Sequence, residues 1–239
     1  MAGRVRVESR NVDGAGMNTK QNTMGRFSKG YLVLYNIAMA FGWAAIGLML
    51  IRHYVYERSY FGLYRSVEPL LKVFQTAAVL EVVHCAVGLV RSSVYLTAMQ
   101  VYSRVFLVWG IIVSVPDVGD KAGIVGCLTA WTVTEVVRYS FYAFTLVDAL
   151  PRALLWCRYT LFLPLYPIGV TGELLTIWNA LPTLQRTRMY SIELPNAANI
   201  SFSYYYYVLF VCMSYVPIFP QLYCHMVKQR RKVLNGKMD

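Results

Sequence analysis

The chain has 239 residues and a mass of 27.3 kDa; 57% of it is apolar and only 15% charged, against about 45–50% and about 25% in soluble domains. That balance excludes a disordered chain, a disulfide scaffold and an ordinary soluble globule, and the length suits one domain. The net charge is +11, yet the basic residues gather at the two ends rather than along a folded face, which points to membrane topology and headgroup attraction and away from nucleic acid.

Residues 1–29 are polar, basic and non-periodic, and are expected to form a disordered tail rather than a signal peptide, because the first apolar run starts late and no small-residue cleavage site follows it. Residues 31–51 carry no charge and, at ~1.5 Å per residue, span ~30 Å, one hydrocarbon core. Five further apolar runs follow at about 73–90, 94–115, 122–147, 154–178 and 204–223. The expectation is an all-α integral membrane protein: a six-helix domain over 30–225 whose fifth helix is interrupted by Pro and Gly, followed by a basic tail over 226–239. Four of the runs carry ionisable residues: Glu81 and His84, Arg104, Glu135 and Arg138, Arg158 and Glu173. One ionised group at the bilayer centre costs at least ~2.5–3.5 kcal/mol, so these side chains should face protein or a cavity.

Six spans place both termini on one side. That side collects 13 Lys and Arg against 7 on the other, so both ends are expected in the cytosol. Cys85, Cys127, Cys157, Cys212 and Cys224 lie in or at the ends of apolar runs and form no CxxC, so neither a disulfide framework nor a zinc site is indicated.

Three stretches carry candidate chemistry. His84 and Cys85 with Arg91 make the HCx5R spacing of protein tyrosine phosphatases. The thiolate of that chemistry needs a helix N-terminus, whereas Cys85 follows an apolar helical run and should lie near a helix C-terminus in lipid, where dipole and desolvation oppose the anion. The second stretch runs from Trp131 to Tyr142. Glu135 and Arg138 share a helix face there, either as a self-satisfied pair or as one wall of a substrate cavity with Tyr139 or Tyr142 donating hydrogen bonds. The third is Arg158 to Leu175, where Pro164, Pro167, Gly169 and Gly172 interrupt an apolar span. A break at membrane depth is tolerated only against protein or a water-lined cavity, and this one is bracketed by Tyr166 and Glu173. Seven residues apart, they share a face of a regular helix ~10 Å apart along its axis, a distance that a break could shorten. Phenol and carboxylate over a cavity make an acid–base pair; the alternative is an interfacial tyrosine with a snorkelling glutamate.

Over about residues 27–235 the chain closely resembles the very-long-chain (3R)-3-hydroxyacyl-CoA dehydratases, the family also labelled protein-tyrosine-phosphatase-like. The resemblance rests on YLVLYNIAMAFGW, FQTAAVLEVVHCAVG, SRVFLVW, AWTVTEVVRYSFYAF, LYPIGVTGELLTIW and SYVPIFPQLYCHMVKQRRK, in that order. It implies that Tyr166 and Glu173 are the catalytic pair, acting on a very-long-chain 3-hydroxyacyl-CoA with no cofactor and no metal. Glu173 is the expected base at C2 and Tyr166 the expected donor to the departing hydroxyl, with the reverse assignment open. Arg138, Arg158, Tyr159, Tyr139 and Glu135 are candidate substrate-orienting groups. The resemblance further implies the endoplasmic reticulum membrane and association with an elongase, a 3-ketoacyl-CoA reductase and an enoyl-CoA reductase. Family members usually carry Pro where this chain has Arg91. Two rivals are weighed on the residues themselves: a transporter or channel, suggested by the buried charges and broken helix, and a catalytically silent adaptor, against which the retained Tyr166 and Glu173 argue.

Overall fold

The structure, a computed structural model, describes residues 25–197 and 199–235. Of the tail expected over residues 1–29, residues 1–24 lie outside the described residues, as do the last residues of the C-terminal tail. Residues 26–29 are not part of a disordered tail but form the first turn of a helix, with the Lys29 N–H on the Gly25 carbonyl. Among those described the fold is all-helical, apart from one isolated antiparallel bridge between Ile192 and Phe202.

Helix α1 (Arg26–Glu57) contains the whole charge-free run and ends where Arg58 turns left-handed, φ 48°, with its N–H on the Tyr54 carbonyl. Helices α2 (Leu63–Ala77) and α3 (Val79–Ala86) follow almost continuously. The second span therefore begins ten residues before the apolar run expected at 73. The reason is amphipathicity. Leu63, Tyr64, Val67 and Leu71 are buried on one face of α2, while Arg65, Glu68 and Lys72 lie off it and cancel the hydropathy. Lys72 pairs with Glu68 one turn away at 2.5 Å.

Helix α4 (Val94–Val105) starts at Ser93, whose hydroxyl accepts the Leu96 N–H. It continues as a π-helical segment, Phe106–Ile112, and a short 3-10 turn, Pro116–Asp120, leads into α5 (Ala122–Leu146). Helix α6 (Arg152–Thr160) meets α7 (Phe162–Thr187) at a bend of 44°, and α8 (Tyr204–Asn235) runs on through Lys228, Arg230, Arg231 and Lys232.

The interruption expected around Pro167 and Gly169 is displaced: the break falls at Leu161, and α7 is helical through Pro164, Pro167 and Pro182. Pro164 occupies the first turn of α7, where an amide has no partner within the helix in any case, and its ring removes the bond that would have continued α6 through the Thr160 carbonyl. Pro167 frees the Leu163 carbonyl one turn back, and the Tyr223 hydroxyl from α8 donates to that oxygen at 3.3 Å. A neighbouring side chain thus satisfies the group that proline orphans, and the helix continues.

Among the described residues, four helical stretches are long and apolar enough to cross a membrane: Arg26–Glu57, Leu63–Ala86, Val94–Ile112 and Tyr204–Val233. The bent pair α6–α7 makes a fifth if it is one span. The expected count of six is reached only with α5, which at 25 residues is long enough but carries Glu135 and Arg138 in its middle and so fails on apolarity.

The core lies where α1, α5, α7 and the π segment meet, around Trp43, Ile46, Leu107, Ile111, Leu128 and Ile177. Two glycine contacts set its geometry. A Cβ on Gly42 of α1 would collide with the Phe74 ring of α2. A Cβ on Gly172 of α7 would lie 2.5 Å from the Cys127 amide nitrogen and 2.8 Å from the Gly123 carbonyl of α5. Small residues thus bring α5 and α7 backbone to backbone, the packing that helices use in lipid.

Candidate active site

Glu173 follows Gly172 directly, so the close approach of α7 to α5 places its carboxylate against α5. There the Trp131 indole Nε1 donates to Glu173 Oε1 at 2.8 Å. From the opposite side the Tyr215 hydroxyl of α8 donates to Oε2 at 2.8 Å. The residue is only 7% exposed. Among the described residues neither oxygen is paired with a cation; two neutral donors hold the carboxylate.

Tyr166 lies two turns earlier on the same helix. Its ring stacks on Phe219 (centroids 5.2 Å, planes 8° apart) and on Tyr223 (6.2 Å, 19°), both from α8. Because α7 is unbroken between them, the Tyr166–Glu173 spacing keeps its regular value of ~10 Å along the axis and is not shortened as the sequence allowed. The two polar ends share one face, and α8 supplies the wall opposite. Tyr166 and Glu173 thus present a phenol and a carboxyl group, one able to give a proton and the other to take one, on the face of α7 that meets α8.

Glu135 and Arg138 pair as expected but belong to a larger cluster. Arg138 Nη1 and Nη2 donate to Glu81 Oε2 and Oε1 of α3 at 2.6 and 2.8 Å, and its Nε donates to Glu135 Oε2 at 2.9 Å. Arg104 of α4 donates to the other Glu135 oxygen, and the Tyr139 hydroxyl donates to Glu81. The Arg138 guanidinium also lies 4.5 Å from the Tyr139 ring centroid. Two carboxylates and two guanidiniums from three successive helical stretches therefore close a neutral cluster, with Glu135 only 2% exposed. Of the other candidates, Arg158 lies 5.9 Å from the Tyr142 ring centroid, and the Tyr159 ring meets Phe141 edge-on at 6.2 Å. These contacts gather them at the α5–α6 junction, not against Glu173.

Cys85 lies one residue before the end of α3, as the sequence suggested. It is buried, and its Sγ is 3.6 Å from the Thr97 hydroxyl oxygen. A cavity of about 1000 Å³ lies near the other end of α7, lined by Leu184, Arg188, Ser191, Tyr206, Tyr207 and Phe210. Leu184 is eleven residues from Glu173, about 16 Å along the helix, so this cavity is not where the carboxylate sits.

Sequence reasoning singled out neither Trp131, Tyr215 nor Tyr223. The signal was a polar-tipped aromatic in an apolar run, since buried Tyr and Trp need a partner for their O–H or N–H.

Several helices of membrane-crossing length around a buried carboxylate held by phenol and indole define a helical membrane protein with an interior polar site. Within that class, the chain belongs to the family described as protein tyrosine phosphatase-like protein, PTPLA, whose model matches residues 75–236. It is 49% identical over 219 residues to very-long-chain (3R)-3-hydroxyacyl-CoA dehydratase 1 of Mus musculus, covering 92% of this chain and 78% of that protein. It is 53% identical over 205 residues to dehydratase 2 of Homo sapiens (86% and 81% covered). Against the very-long-chain (3R)-3-hydroxyacyl-CoA dehydratase PASTICCINO 2 of Arabidopsis thaliana, identity is 42% over 208 residues (86% and 93% covered). No solved structure matches the chain.

Proposed function

We propose that the protein dehydrates very-long-chain (3R)-3-hydroxyacyl-CoA to the trans-2-enoyl-CoA, with Glu173 and Tyr166 as its catalytic pair. The observation that carries the reading is the buried, cation-free carboxylate of Glu173 on the same face of α7 as the Tyr166 phenol, in a chain about half identical to proteins of that name. Glu173 takes the proton from C2, and the C–H electron pair becomes the C2–C3 double bond. The C3–O bond breaks with its pair going to oxygen, which takes the Tyr166 proton and leaves as water. Return of the proton from Glu173 to the Tyr166 phenolate restores both groups. The substrate thioester delocalises the charge that develops at C2. Arg158 and Tyr159, beside the bend that starts α7, are suited to orienting the substrate; Arg138, Glu135 and Tyr139 act by holding α3, α4 and α5 together.

The same reading places the chain in the endoplasmic reticulum membrane as six spans with both termini cytosolic. The register of the helix contacts supports the alternation. Gly123 and Ala130 of α5 face Leu175 and Gly169 of α7, and Leu163 and Glu173 of α7 face Tyr223 and Tyr215 of α8. Tyr35 and Gly47 of α1 face Tyr139 and Thr132 of α5. Each pair runs antiparallel, as spans of opposite parity must. The cytosolic Lys and Arg then meet the CoA phosphates, and an elongase, a 3-ketoacyl-CoA reductase and an enoyl-CoA reductase are the partners that such a substrate and product call for.

The test is purified protein with 3-hydroxyacyl-CoA, following the enoyl product. Tyr166→Phe and Glu173→Gln are each expected to lose ~10²–10⁴-fold in rate while remaining folded. Full activity in either variant removes that residue from the mechanism.

A further inference from the structure

Glu173 is the base in the reading above, and a base at the end of a glutamate side chain has a problem of aim. The last torsion of the side chain joins an sp³ to an sp² carbon, so its preference is broad and the carboxylate plane is not set by the chain itself. In this protein the plane is set from outside. Trp131 Nε1 reaches Oε1 from α5 and Tyr215 Oη reaches Oε2 from α8, each at 2.8 Å, so one donor holds each oxygen. A carboxylate offers about four lone-pair sites; the two donors occupy two and leave two for a substrate proton. Both donors are neutral, so they fix the group without pairing its charge with a cation. Trp131 belongs to the α5–α7 seam, where Gly172 brings the backbones into contact. Tyr215 belongs to α8, which meets the site through this hydrogen bond and through the Phe219 and Tyr223 rings stacked on Tyr166.

We infer that Tyr215 is a positioning residue for the dehydration: its phenol holds Glu173 Oε2 and, with Trp131 on Oε1, fixes the carboxylate plane so that an unoccupied lone pair meets the C2 proton. The inference rests on Glu173 as base. It divides the tyrosines of the site into two tasks, Tyr166 giving a proton to the departing oxygen and Tyr215 holding the base.

The experiment uses the full chain, purified, with 3-hydroxyacyl-CoA carrying hydrogen or deuterium at C2. Tyr215→Phe keeps the ring and deletes the hydroxyl. The expected result is a kcat lower by roughly 10–100-fold, the loss typical of a misplaced reacting group. KM stays within about twofold, the protein still unfolds in one cooperative transition, and the C2 isotope effect on kcat is at least as large as in the wild type. Trp131→Phe, which deletes the other donor, moves kcat the same way. Tyr215→Phe combined with Glu173→Gln is no slower than Glu173→Gln alone, because the hydroxyl acts only through the carboxylate. A wild-type kcat in Tyr215→Phe overturns the inference. So does a rise in KM at constant kcat, which would make Tyr215 a substrate contact, and so does a shrunken isotope effect, which would place the slowed step elsewhere. An inactive Glu173→Gln beside a fully active Tyr215→Phe strikes this inference alone. A fully active Glu173→Gln removes the base itself, and the inference with it.

Discussion

Replacing Arg138 by Met should destabilise the protein more than replacing Arg138 and Glu81 together. Arg138 makes three contacts of 2.6–2.9 Å with Glu81 and Glu135, and a further short one with Glu135. Its side chain is 13% exposed and those of its partners 15% and 2%. With the guanidinium gone, Glu135 keeps Arg104, whereas Glu81 keeps only the Tyr139 hydroxyl and stands as an uncompensated charge at membrane depth. Breaking a buried pair by removing one partner typically costs about 3–5 kcal/mol. At roughly 2–4 °C per kcal/mol for a domain of this size, the unfolding midpoint falls by roughly 6–20 °C. Arg138→Met with Glu81→Met removes one charge of each sign and leaves the neutral Arg104–Glu135 pair, so most of that loss returns. Tryptophan fluorescence of the detergent-solubilised protein during heating reads both variants. A single variant as stable as the wild type, or a double variant less stable than the single, would show that the cluster is not held together by charge.

Cys85→Ser is expected to leave dehydration largely intact, and the wild type to leave aryl phosphates untouched, because the thiol sits at the end of α3 rather than at a helix start; cysteine-dependent phosphate release by pure protein would reverse that. Asn199-Ile200-Ser201 is a glycosylation sequon five residues before α8 begins at Tyr204, too close to the bilayer for efficient modification. Lengthening the loop with a polar insert before Tyr204 should permit glycosylation in membranes, while a sequon placed before Arg26 should stay bare; the opposite pattern would invert the topology.

What the sequence made legible follows from which forces are local. Charge-free apolarity is a property of the run itself, so the middle of α1 was readable. The helix starts five residues before that run and ends six after it, through Arg26, Lys29, Arg52 and Glu57 that a charge-free run leaves out. The Glu135–Arg138 pair was readable because i,i+3 neighbours on a helix meet whatever surrounds them. The start of α2 was hidden because its apolar face alternates with Arg65, Glu68 and Lys72, and a sum along the chain discards that phase. Pro167 pointed to a break that Tyr223 prevents from a helix more than fifty residues later. Trp131 and Tyr215 escaped for the same reason. Each is one of many aromatics in apolar segments, and only the Gly172 contact and the antiparallel register of α8 turn both toward one carboxylate.

The neutral cluster of Glu81, Arg104, Glu135 and Arg138 also constrains how such a chain enters a bilayer during its synthesis. Glu81 and Arg104 emerge before their partners on α5 exist. Arg104 must wait 31 residues for Glu135, and Glu81 waits 57 for Arg138. A helix released singly into lipid would carry ~2.5–3.5 kcal/mol for each unmatched group at its centre. The stretches from α2 to α5 are therefore best retained at the insertion site until α5 has been made, and then leave it as one preassembled unit. The charges that weaken each helix as an independent membrane segment thus set the order in which the bundle is built.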